Sequence, residues 1–242
     1  MLKRRVMIGL MFDEGVLTRT KHFRSDYRYT QQFLAVEAID EAVLIDISRG
    51  GPSRASEGAI GDFAGRTFAP VTIGGHVASV RQVGELLRLG ADKVVIGRAA
   101  LENPSLITEI SLKYGSQACV VACDVLDGEV VHGATGRKAG KTPVEWAMEA
   151  ERCGAGELYL QSVGRDGSLN GFDLPTLLEC AAAIAIPVII GTGCGSWRHI
   201  EEAFAAGANG AVTQNIHHFT ETALRGFKDK LAAAGLPIRR VA

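Results

Sequence analysis

Short apolar runs recur eight times along the chain, at residues 5–10, 42–47, 71–73, 93–96, 118–123, 157–161, 188–190 and 210–213. They are rich in Val, Ile, Leu and Ala and apolar on both faces, which predicts parallel strands buried on both sides rather than strands with one wet face. The segments between them change period. VRQVGELLRLG (80–90) and WRHIEEAFAAG (197–207) carry apolar residues at helical spacing and stop at Gly, which predicts amphipathic helices.

The same pattern occurs twice. Residues 70–98 align with residues 187–215 at one constant offset, and RVMIGLMFDEG (5–15) aligns without a gap against ACVVACDVLDG (118–128). An open doubly wound sheet also alternates strand and helix, but it reverses strand order at a switch point, whereas a duplicated four-unit half closes on itself. The expected fold is therefore α/β, a (β/α)8 TIM barrel forming one domain over residues 1–242, built from half-barrels of about 1–115 and 116–242. In such a barrel the chemistry belongs to the loops after the strands, and the strand starts form the stability face.

Composition narrows the function classes. With 242 residues, 47% of them hydrophobic, the chain can bury one large core. A net charge of -1 gives no overall attraction to nucleic acid or to an anionic membrane, so any anion site must be local. The apolar run of MLKRRVMIGLMF is short and ends at Asp13 and Glu14 without a cleavage pattern, so it reads as a strand rather than a signal. No stretch approaches the roughly 18 apolar residues of a membrane helix, and a cytoplasmic location is expected. Five cysteines (Cys119, Cys123, Cys153, Cys180 and Cys194) lack metal-site spacing and fit reduced thiols, so neither metal nor cofactor is expected. Trp146 and Trp197 read as packing residues on helices, Cys123 as core, Cys194 as a small filler, and His217 and His218 as capping or surface residues.

Candidate chemistry collects at strand ends. Glycine loops follow strands three (Gly74, Gly75, His76), four (Gly97, Arg98) and seven (Gly191, Gly193, Gly195), and Gln214 and Asn215 follow strand eight. Glycine lets backbone N–H groups approach an anion, and the helix that follows adds its dipole, so the repeat predicts two phosphate sites on opposite sides of the mouth. The other reading is that these glycines only make tight strand-to-helix turns. The sharpest contrast between the halves is that Asp124 has Met11 as its counterpart. Asp13 shares the parity of Met11 but lies about 6–7 Å further along an extended chain. Asp46 and Asp166 are further candidates for orienting substrate.

Asp124, Gly167 and Ser168 within GRDGSLNGFD, the paired glycine loops, LENPSLI (101–107) and YGSQA (114–118) together resemble the cyclase subunit of imidazole glycerol phosphate synthase, almost without gaps from residue 1 to about 240. The resemblance implies a barrel that receives ammonia from a glutaminase partner docked at the strand-start face and adds it to a bisphosphorylated ribonucleotide at the other end. It implies an ammonia gate of Arg5, Glu41, Lys93 and Glu157, with Asp92 and Gln117 near the partner interface. It also implies two catalytic aspartates, of which only Asp124 is present. A thioether cannot exchange a proton, and losing one acid or base typically lowers the rate by about a hundredfold to ten-thousandfold.

Further departures from the family pattern lie in the same mouth. His76 stands for a glycine, Gly97 and Arg98 for an Asn-Thr pair, Gly164 for an acid and Arg19 for a lysine. The stretch after strand one resembles a divergent branch that replaces the first aspartate with an apolar residue and supplies ammonia to a separate sugar amidotransferase. Three functions follow as expectations: an ammonia-transferring subunit diverged toward sugar amidation, a working cyclase of histidine synthesis, or a noncatalytic ammonia conduit that binds a phosphorylated ligand.

Overall fold

The computed structural model describes residues 4–28, 39–214 and 223–239. In chain order the described elements begin with β1 (Arg5–Asp13), β2 (Val16–Lys21), β3 (Arg24–Arg28), β4 (Glu41–Asp46), α1 (Arg54–Ala64), β5 (Val71–Gly74) and α2 (Val80–Leu89). They continue through β6 (Lys93–Ile96), α3 (Arg98–Glu102), α4 (Ser105–Tyr114), β7 (Cys119–Leu126), β8 (Glu129–Val130) and α5 (Pro143–Arg152). The chain ends with β9 (Glu157–Ser162), α6 (Leu174–Ala183), β10 (Val188–Gly191), α7 (Trp197–Ala205), β11 (Gly210–Thr213) and α8 (Ala223–Ala233).

Eight of these strands form a closed parallel barrel in the order β1, β4, β5, β6, β7, β9, β10, β11, and β11 pairs back onto β1 through Arg5–Gly210 to Ile8–Thr213. All eight coincide with the apolar runs, though β1 and β7 continue three residues beyond them. The remaining three strands are additions. β2 and β3 form an antiparallel flap on the end of β1, and β8 forms a short hairpin on β7.

Two separate apolar clusters follow from strand parity. The larger lies between barrel and helices and includes Ile8, Leu10, Ile73, Val121, Cys123 and Trp146. The smaller, of Met7, Val43, Val95, Val120, Tyr159, Ile189 and Val212, fills the barrel itself. Residues two apart along a strand share a face, so Arg5, Met7, Gly9 and Met11 are one inward row, and Val120, Ala122 and Asp124 another.

The internal repeat extends to the backbone. Glu14 and Gly15 have φ of 50° and 78°, and their counterparts Asp127 and Gly128 have 51° and 78°, so both first strands of the halves turn back through the same left-handed pair. Asp92 and Asn209 also match. Each side chain accepts from the first amide of the neighbouring strand, Val71 at 2.8 Å and Val188 at 3.0 Å. Gly75 is needed for a different reason: its φ is 103°, and a Cβ there would lie 2.2 Å from the Asp46 carbonyl oxygen. Gly75→Ala is expected to destabilise the protein by at least ~2 kcal/mol, read from denaturant unfolding.

Candidate active site

The floor of the barrel is a closed ring of charges at the strand starts. Arg5 bonds Glu41 at 2.7 Å and Glu157 at 2.9 Å, and Lys93 bonds the same two carboxylates at 2.9 and 3.1 Å. Thr72 donates its hydroxyl to Glu41 at 2.8 Å. The four residues expected as a gate are thus brought together, two cations alternating with two carboxylates. Asp92 and Gln117 are exposed on this same strand-start end. Phe68, in the connection entering β5, is fully exposed there.

Above the ring comes the apolar layer, and above that Asp124. Burial raises the Asp124 carboxyl from an ordinary value near 3.8 to about 7. Its Oδ1, the Tyr159 hydroxyl and Nδ1 of His132 are the three buried side-chain atoms without a hydrogen-bond partner among the described residues. Tyr159 comes from the inner row of β9, where the missing side chain of Gly191 admits it: a Cβ on Gly191 would meet the hydroxyl at 2.8 Å. Burial, with Asp124 and then Asp166, pushes that hydroxyl up, so it remains an O–H donor. His132 follows β8, in a segment whose Val131 amide donates to the Asp124 carbonyl at 2.8 Å. Burial and then the Arg137 charge hold His132 below its ordinary value, against an opposing effect of Glu102, so the imidazole is neutral at pH 7.

Met11 holds the matching position across the barrel and is buried, in register with Thr18 of the flap and Ile45 of β4. Asp13 closes β1 and lines a separate cleft with Phe23, Arg24 and Arg49. Strand β1 is four places from β7 around the barrel, so Asp13 and Asp124 occupy opposite sides of the mouth.

Other expected site residues are occupied by the fold itself. Asp46 accepts from the Ser48 amide and hydroxyl at 3.0 and 2.6 Å and from the Ser53 amide at 2.8 Å, which braces the loop after β4. Asp166 accepts from the Phe23 amide at 2.9 Å and the Thr20 hydroxyl at 3.1 Å, tying the flap across the mouth to the loop after β9. Burial raises its carboxyl despite these bonds. Arg19 pairs with Asp26 within the flap.

The glycine loops have the same double character. Gly97 and Arg98 begin α3, and Gly74 lies where a Cβ would meet Ile45 and Val95 at 2.9 Å. Gly193 and Gly195 approach the carbonyls of Gly171 and Leu169 so closely that a Cβ would sit 2.2 and 2.1 Å away, and the Gly195 amide donates to His199 at 3.0 Å. Gly167, Gly193 and Gln214 line one small cleft, beside which the Ser168 hydroxyl accepts from the Asn170 amide at 3.2 Å. Asn215, His217 and His218 lie outside the described residues.

Cys194 is buried and its thiol is pushed up to about 12, which leaves it a filler, and Trp146 is buried with its indole N–H on the Ala122 carbonyl at 2.9 Å. Among the described residues no group of three or more His, Cys, Asp or Glu could hold a metal ion, and no helix is long and apolar enough to cross a membrane.

The family model described as histidine biosynthesis protein matches residues 11–223. The chain is 36% identical to the imidazole glycerol phosphate synthase subunit HisF of Thermococcus onnurineus, with 99% of each chain covered. It is 38% identical to the subunit of the same name from Chlorobium luteolum, over 86% of this chain and 85% of that one. For the subunit from Halobacterium salinarum the identity is 36%, over 83% of this chain and 80% of that one.

Proposed function

The chain belongs to the histidine biosynthesis protein family, and from that premise we propose that it is the ammonia-accepting barrel subunit of an imidazole glycerol phosphate synthase, acting on a bisphosphorylated ribonucleotide. The observation that carries this reading is Asp124: a half-buried residue whose Oδ1 is enclosed without a partner among the described residues and whose carboxyl is raised to about 7, on the inward row above an intact charged ring. A group that titrates near the working pH can both take and return a proton.

Ammonia released by a glutaminase partner enters at the ring, whose two cations and two carboxylates cancel, and passes the dry layer of Met7, Val43, Val95 and Val212 as a neutral molecule. Once its nitrogen bonds to a substrate carbon, it carries a surplus proton. Asp124 is the group that accepts it, and the Tyr159 hydroxyl donates to developing negative charge nearby. The glycine loops after β5 and β6 hold one phosphate, and the glycine loop after β10 together with Gln214 after β11 holds the other. The glutaminase covers the strand-start face, where Asp92 and Gln117 are exposed and Phe68 offers a large apolar side chain to a partner.

A second reading rests on Met11. With one carboxylate of the pair absent, the same subunit would pass its ammonia to a separate sugar amidotransferase, and at the extreme would act only as a conduit. One measurement separates these: ammonium-dependent turnover of the ribonucleotide by the purified chain beside Met11→Asp. Turnover by the wild type supports the synthase. A gain of about a hundredfold or more in Met11→Asp over an inactive wild type assigns the chain to the amidation branch. No turnover by either sinks the synthase reading.

A further inference from the structure

The cleft beside Asp13 lies on the β1 and β4 side of the mouth, apart from the glycine loops after β5, β6 and β10. It has a volume of about 400 Å³ and is lined by Asp13, Phe23, Arg24, Ser25, Ile47 and Arg49. We propose that this cleft is a third anion site, built to take the diphosphate of a nucleoside diphosphate between Arg24 and Arg49.

Three observations converge on it. First, neither guanidinium makes an ion pair or hydrogen bond with any described residue, although Arg19 on the same flap pairs with Asp26. Two cations against the one carboxylate of Asp13 leave the cleft net positive, and guanidinium forks match phosphate oxygens bidentately.

Second, both walls are braced before any ligand arrives. The flap tip turns through two non-glycine residues with positive φ, His22 at 51° and Phe23 at 59°. Such a turn persists only when its surroundings hold it. Here Asp166 does so through the Phe23 amide at 2.9 Å and the His22 amide at 3.4 Å. The opposite wall is fixed by Asp46, by the Ile47 amide on the Phe12 carbonyl at 2.8 Å, and by the Glu14 amide on the Ser48 hydroxyl at 2.9 Å. Arg24 and Arg49 therefore project from fixed backbone, which limits the ordering cost of binding.

Third, the lining is divided by chemistry. Phe23 and Ile47 supply an apolar wall for a base, while Ser25 and Asp13 can bond sugar hydroxyls. The volume falls in the range of small-ligand sites, roughly 300–1,000 Å³.

Isothermal titration of the purified chain with ADP, UDP, inorganic pyrophosphate and inorganic phosphate tests this without turnover, so it stands or falls apart from the reaction proposed above. Saturable sub-millimolar binding of ADP or UDP is expected, weakened about tenfold by Arg24→Gln or Arg49→Gln and more by both. Phe23→Leu should weaken ADP and UDP while leaving pyrophosphate unchanged. If it leaves all ligands unchanged, the ligand is pyrophosphate and the nucleoside assignment is overturned. Lys21→Gln, on the same flap but outside the cleft, should change nothing. Each variant is checked by thermal unfolding, and the single substitutions stand in if the double variant does not fold. No saturable binding in the millimolar range, equal affinity in the arginine variants, or an equal loss in Lys21→Gln would overturn the site.

Discussion

Replacing Asp124 by Asn is expected to lower ammonium-dependent turnover by about a hundredfold to ten-thousandfold while making the protein more stable at neutral and higher pH. Both effects come from one burial. The carboxyl has an ordinary pKa of 3.8 and is raised to about 7 in the folded chain, so between those values the folded state holds a proton that the unfolded state has released. Stability therefore falls as pH rises from about 4 to about 7, and above that the penalty is constant, at about 4 kcal/mol at most. The neutral amide carries no such penalty. Denaturant unfolding at about pH 8 should show Asp124→Asn more stable than the wild type by a few kcal/mol, and at about pH 4 the two should coincide. A variant that is inactive but no more stable at high pH would mean the carboxyl is not held against its charge.

Glu41→Leu is expected to be the most damaging substitution in the floor ring, at about 3–5 kcal/mol. The Glu41 side chain is 2% exposed and takes bonds from Arg5, Lys93 and Thr72, so its removal leaves two cations sharing Glu157. Replacing all four ring residues by apolar ones should recover most of that loss, because a complete apolar floor contains no unpaired charge. Chemical denaturation of the single and quadruple variants reads this directly. A loss below about 1 kcal/mol for Glu41→Leu would mean that water reaches the ring and screens it.

The barrel was legible in the sequence because each barrel strand has a short apolar stretch buried on both faces, with its charged residues near the strand ends, and because the halves repeat. The flap was not. VLTRTK mixes buried Leu17, Thr18 and Thr20 with polar Arg19 and Lys21, RSDYR is exposed throughout, and neither resembles the barrel strands. The turn between Glu14 and Gly15 is the signal that would have predicted the hairpin, as Asp127 and Gly128 would have for β8.

At the site, Asp124 and Met11 were legible because the internal alignment places one opposite the other. The ring was legible only through resemblance and the position of each member at a strand start. Tyr159 and His132 were missed, since each acquires its meaning from neighbours on other strands. The inward parity of Tyr159 among apolar residues was the available hint. Asp46 and Asp166 looked free in sequence, but loop amides and hydroxyls that no spacing rule predicts occupy them. Arg24 and Arg49 line one cleft only because the fold brings the flap and the loop after β4 to the same side of the mouth.

The floor ring also tells the two halves apart. Their strand registers and turns are so alike that a first half could in principle close against another first half from a second chain. Three ring members, Arg5, Glu41 and Lys93, come from the first half and only Glu157 from the second. Two first halves would bring together two copies each of Arg5 and Lys93 with only two carboxylates, and two second halves would leave a pair of carboxylates with no cation. Only the unlike pairing balances, so a structure assembled from near-copies carries in its floor a charge code that rejects self-association of either half.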